Sequence, residues 1–169
     1  HGWIEELPRR LAAGPAALVT VAHVEGSAPR EAGTVMLVSA DGIVGTIGGG
    51  HLEFQAIREA RERLTDASPL ELRRYALGPS LGQCCGGVVW LLFETIPATA
   101  RSDWMAFASQ WRAGKSLARR ARPGKAMSAW EAVAQRQPLA FELRGESWTF
   151  DQDFTREPFP IHVFGAGHV

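Results

Sequence analysis

The two cysteines of this 169-residue chain, Cys84 and Cys85, are adjacent and set in the glycine-bearing stretch GPSLGQCCGGV (78–88). A disulfide between them fits badly. Neighbouring Cα atoms lie about 3.8 Å apart across a trans peptide, while bridged cysteines prefer roughly 4.4–6.8 Å. Such a bridge would also close almost no loop and so stabilise little. The pair reads better as two thiols held in a flexible, closely approachable backbone. Gly86 on one side leaves room for a large ligand, and Gln83 on the other offers a polar side chain. Two cysteines serving as small apolar residues is the alternative, and a loop fenced by glycine suits it poorly.

Two further glycine loops carry polar groups. In GTIGGGHLE (45–53), Gly48, Gly49 and Gly50 let backbone N–H groups approach a ligand, and the helix that follows adds unpaired donors. The loop lacks the Gly-Lys-Ser/Thr ending of a P-loop, and a plain strand-to-helix turn remains the competing reading. Glu53 either caps the helix or pairs with the N–H/NH2 edge of a heterocycle. His51 is a capping or surface residue, or a ligand. In GSAPREAG (26–33), Ser27 and Arg30 suit a phosphate contact, with a surface arginine in a turn as the alternative. HLE (51–53) followed by PSLGQCC (79–85) faintly resembles the zinc-deaminase pattern H-x-E…P-C-x-x-C. The cysteine spacing is wrong: adjacent side chains diverge, and no proline directly precedes Cys84.

These loops need a rigid frame. WIEELPRRLAAG (3–14) reads as a helix stopped by Gly14, and AALVTVAHV (16–24) as a strand. TVMLVSADGIVGTI (34–47) predicts two strands joined at Asp41-Gly42. From the triple glycine onward, Leu52, Ala56, Ile57, Ala60 and Leu64 form a helical stripe, with Arg58–Glu62 and Glu59–Arg63 assigned to the wet side. A strand over 69–77 precedes the cysteine loop, and GVVWLLFETI (87–96) reads as a strand buried on both faces. The stretch 101–114 predicts an amphipathic helix. KSLARRARPGK (115–125) reads as a solvated basic excursion, AMSAWEAVAQ as a helix, and PLAFELRGESWTF (138–150) as a hairpin turning at Gly145.

Composition excludes several classes. Formal charge is zero, from 18 basic and 18 acidic residues, so nothing favours non-specific nucleic-acid binding. Sixteen of the basic residues are arginine, suited to forked contacts where buried. A 46% apolar content supports a sizeable core, and no apolar run is long enough to span a membrane. With no secretory signal and no spaced cysteine framework, the expected compartment is a reducing cytoplasm. The opening HGW, without methionine, suggests that a natural start lies upstream.

Three motifs together, GSAPREAGTVMLV (26–38), GTIGGGHLEFQAI (45–57) and ALGPSLGQCCGGVVWLLFE (76–94), closely resemble the XdhC/CoxI family, accessory proteins of xanthine dehydrogenase and related molybdenum hydroxylases. The resemblance covers residues 3–96 and resumes at HVFGAGHV (162–169). It implies an accessory chaperone more than a turnover enzyme, one that binds molybdenum cofactor (molybdopterin), works with a cysteine desulfurase that sulfurates it, and delivers it to a molybdenum hydroxylase. Self-association is a further expectation. By the same resemblance, Ser27, Arg30, Gly48, Gly49, Gly50, His51, Glu53, Gln83, Cys84, Cys85 and Gly86 would bind the cofactor, with Cys85 or Cys84 on the metal. FGAGHV matches the start of a dinucleotide-binding Rossmann domain. The expected architecture is α/β, a mixed sheet with flanking helices over 1–158, then the first Rossmann strand and glycine turn over 159–169. Without the helix that would hold pyrophosphate, residues 1–169 are not expected to bind NAD(P) or FAD. The alternative function is an NAD(P)-dependent or thiol-based oxidoreductase.

Overall fold

A computed structural model describes residues 2–66, 68–78 and 86–155. Gln83, Cys84, Cys85 and the expected Rossmann strand lie outside the described residues. The chain folds in the order α1 (Trp3–Ala13), β1 (Ala16–Glu25), β2 (Val35–Ser39), β3 (Gly42–Val44), α2 (Gly50–Asp66), β4 (Glu71–Ala76) and β5 (Val88–Ile96). A 3-10 turn (Ala98–Ala100) leads into α3 (Arg101–Arg112), β6 (Ser116–Ala121), β7 (Ala129–Val133), β8 (Ala140–Arg144) and β9 (Ser147–Phe154).

The α/β class is the one expected. The strands divide between a five-stranded sheet, β3-β2-β1-β5-β4, and a four-stranded sheet, β7-β6-β9-β8. Every described ladder is antiparallel, so no parallel pair of a mixed sheet occurs among the described residues. Strand alternation sets the layers. Ala17, Val19 and Val21 of β1 face α2, where Leu52, Ala56 and Ala60 close the core. The intervening Leu18 faces a second core with α1, α3 and Phe154, around the ring contacts of Trp3 with Trp104 and Phe154. A third cluster, including Trp90, Leu92, Trp148 and Phe150, joins the two sheets.

Three expectations fail here. Residues 116–121 of the supposed basic excursion form β6, an inner strand of the second sheet, and Arg119 is fully buried. Its guanidinium donates to Glu94 Oε2 on β5 (2.5 Å), Thr20 Oγ1 on β1 (2.7 Å) and Ser128 Oγ (3.1 Å). It also lies over the Trp130 and Phe150 rings. The expected helix around Trp130 is instead β7, held by pairing with β6. Arg63 is likewise not on the wet side of α2: it is buried against Phe93, between the carboxylates of Glu59 and Glu71.

Candidate functional site

The loop after β1, the loop before α2 and the end of the cysteine loop meet beside the first sheet. Gly87 donates its N–H to Ser27 O at 3.1 Å and accepts from Leu77 N–H at 2.8 Å, closing the base of the β4–β5 connection. The approach needs glycine: a Cβ on Gly87 would lie 2.3 Å from Ser27 O and 2.5 Å from Glu25 O. Gly26, at φ +71°, would bring its own Cβ to 3.3 Å from the Gly87 Cα. The second junction is Pro29 against Gly48, where a Cβ would sit 2.5 Å from Pro29 Cβ. Gly48, Gly49 and Gly50 have φ of +119°, +75° and +67°, a run that side-chain-bearing residues cannot follow without strain.

Ser27, Arg30, Gly48, Gly49, Gly50 and Gly86 thus belong to loops that touch one another. Ser27 and Arg30 are exposed, and Arg30 forms no ion pair among the described residues. His51 is exposed and hydrogen-bonds the Gln55 side chain at 2.9 Å, as a surface residue would.

Glu53 folds back over its own loop. Its Oε2 accepts the Thr46 hydroxyl and the N–H groups of Ile47 (2.9 Å) and Gly49 (3.0 Å), while Gly48 N–H goes to Thr46 Oγ1 (3.0 Å). Burial pushes this carboxyl upward. The hydrogen bonds from Thr46 and the loop N–H groups outweigh that and hold it below its ordinary value. The helix-start donors that could have cradled a phosphate are therefore partly taken by the chain's own carboxylate, and Glu53 positions the triple-glycine loop. Glu53 Oε1 takes no bond among the described residues.

Sequence reasoning missed Pro29, Thr46 and Gly87 as the groups that join these loops. The spacing of Gly86-Gly87 directly before a buried strand was the available signal, since glycine at a strand end marks close backbone approach. Among the described residues, no group of three His, Cys, Asp or Glu side chains could hold a metal ion. No helix among them is long and apolar enough to cross a membrane.

A two-sheet α/β domain with three interlocked glycine loops is the class of protein this geometry defines. Residues 10–76 match the model of the XdhC and CoxI family, a span that includes the first two loops. The fold is similar to the crystal structure of a xanthine dehydrogenase from Bacillus halodurans, with a TM-score of 0.68 and 21% sequence identity. That likeness covers 90% of this chain and 52% of the other, so the chain spans about half the length of the structure it matches. No curated protein matches it.

Proposed function

We propose that this domain binds molybdenum cofactor at the junction of its three glycine loops and supports the cofactor's sulfuration and insertion into a molybdenum hydroxylase such as xanthine dehydrogenase. The observation that carries the reading is the Gly87–Ser27 contact. It ties the base of the loop bearing Cys84 and Cys85 to the loop bearing Arg30. The family match over residues 10–76 supports a role associated with xanthine dehydrogenase.

The residues present fit such a cargo. Arg30 is an exposed guanidinium without an ion-pair partner among the described residues, suited to a phosphate. A Cβ on Gly86 would meet nothing within 4 Å among the described residues, which suits close approach of a bulky group. When bound, molybdopterin supplies a dithiolene-held metal. The chain's part is to hold the phosphate at Arg30, to keep the triple-glycine backbone in place through Glu53, and to present Cys84 or Cys85 as the sulfur or metal contact. A cysteine desulfurase as sulfur donor and self-association of the chain belong to the same proposal.

Purification from a molybdate-fed host, with assay of bound molybdenum and oxidised pterin, tests this function. Co-purification of both in a fixed ratio is expected. Turnover of a nicotinamide by a protein lacking both would replace it with an oxidoreductase.

A further inference from the structure

The inner face of α2 packs on the first sheet through Leu52, Ala56 and Ala60. Its outer face carries a second apolar group that stays open among the described residues. Phe54 is 62% exposed, and Ile43, on the edge strand β3, is 39% exposed. With Ile57 they line a groove of about 870 Å³ that continues past Arg61 to Thr65. Phe54, Ile57, Arg58, Arg61, Glu62 and Thr65 follow helical spacing, so they form one strip along α2. An exposed apolar strip flanked by charge marks an interaction surface.

The charges identify the partner. From its N-terminal end the strip reads Arg58, Arg61, Glu62, Asp66, two cations followed by two anions, all exposed. Arg58 reaches Glu62 only at 3.9 Å, and Arg61 forms no ion pair among the described residues. A wholly acidic or wholly basic partner would meet like charge at one end. The same strip reversed meets opposite charge along its length. A two-fold axis perpendicular to the helix supplies that reversal, because it sets one patch against itself and runs the two helices antiparallel. Strand pairing is the other way a copy could dock here. The edge strand β3 spans only Gly42–Val44, too short to recruit a strand, so side chains carry the contact.

We propose that the outer face of α2, with Ile43 beside it, is the contact between two copies of this chain. Arg58 and Arg61 of one copy face Glu62 and Asp66 of the other, and each Phe54 closes over the Thr65 end of the opposite groove. The contact rests on the self-association proposed above and not on the cofactor. With 17 residues, α2 is about 25 Å long. Antiparallel helices therefore set the two glycine-loop junctions at opposite ends of the pair, where both stay open to a cargo.

Sedimentation velocity of the 169-residue chain over a dilution series tests the contact. A dimer that dissociates on dilution is expected, and Phe54→Ser should weaken it about tenfold or more, as loss of an aromatic anchor does. Arg58→Glu with Arg61→Glu makes the strip wholly acidic, and Glu62→Arg with Asp66→Arg makes it wholly basic. Each of these doubly substituted chains should be monomeric where the wild type is dimeric. An equal mixture of the two should form a dimer again, with one chain of each kind. All the substituted positions are exposed, and thermal melting verifies folding. Dimers that persist in both charge-reversed chains, or a mixture that stays monomeric, overturn the face. If a reversed chain fails to fold, an unchanged dimer in Phe54→Ser overturns it alone. A wild-type chain that stays monomeric overturns the proposal outright, while bound molybdenum and pterin still decide the cofactor function.

Discussion

Gly87 and Ser27 are joined backbone to backbone, N–H to O at 3.1 Å, with no space for even a methyl group between the two segments. That contact fixes where the cysteine-bearing connection leaves the sheet, and it separates two adjacent glycines into different roles. Gly87 is required by packing. A Cβ built on Gly86 meets nothing within 4 Å among the described residues.

Gly87→Ala should therefore destabilise the fold, since backbone atoms of Ser27 and Glu25 must move to admit the methyl. Overpacking of this kind costs about 1–3 kcal/mol, and about 2–4 °C of Tm is lost per kcal/mol in a domain of this size. Gly86→Ala should stay within about 0.5 kcal/mol of wild type. Thermal melts of the two variants side by side check the pair. Equal loss from both would mean that the contact at Ser27 does not set the loop.

The Arg119–Glu94 pair joins the sheets in a fully buried setting. Glu94 Oε1 also accepts Ser128 N–H at 2.6 Å, and Ser128 Oγ reaches Oε2 at 3.0 Å. Removing one partner strands a buried charge, a loss of about 3–5 kcal/mol. Glu94→Gln and Arg119→Met should each fall in that range by denaturant unfolding. The double variant should lose clearly less than the sum, because neither charge is then left alone. Simple additivity would show that the two side chains are not coupled.

Glu53 makes the domain acid-sensitive in a defined direction. Its carboxyl is held below the ordinary value of 4.5 in the folded state, so the unfolded chain binds more protons near that pH. The stability it contributes is present above pH 4.5 and is lost as pH falls through the lower folded value. Glu53→Gln should be less stable than wild type at neutral pH, and the gap should narrow as the solution is acidified. Melting both proteins across a pH series reads this as a difference, which removes the shared effect of other carboxyls such as Glu71, also held low in the folded state. A gap independent of pH would mean that the Glu53 charge does not organise the loop.

Local signals made much of this fold legible. The Asp41-Gly42 turn, the stripe of α2 and the apolar run of β5 each state their geometry within a few residues, and the structure follows them. The misreadings all depended on distant partners. SLARRA looks like a solvated basic stretch until Glu94, 25 residues away, supplies a buried counter-charge. The clue was present in WLLFETI: a carboxylate inside a strand buried on both faces needs a partner. Alanine-rich AMSAWEAV favours a helix intrinsically, and pairing with β6 overrides that preference. The three glycine motifs announced themselves, whereas Pro29 and Thr46, which join them, carry no local pattern and become visible only through their contacts with Gly48 and Glu53.

The proposed site at the junction of the three loops, with the thiols as sulfur or metal contact, stands or falls on cofactor retention. The most direct measurement is bound molybdenum and pterin per chain in wild type, Cys84→Ser and Cys85→Ser, all purified from a molybdate-fed host. Wild type should retain molybdenum and pterin together, and one serine variant should lose both. The other should keep them while failing to support reactivation of a molybdenum hydroxylase. Retention and delivery at wild-type levels by both serine variants, or a wild-type protein carrying neither molybdenum nor pterin, would contradict it.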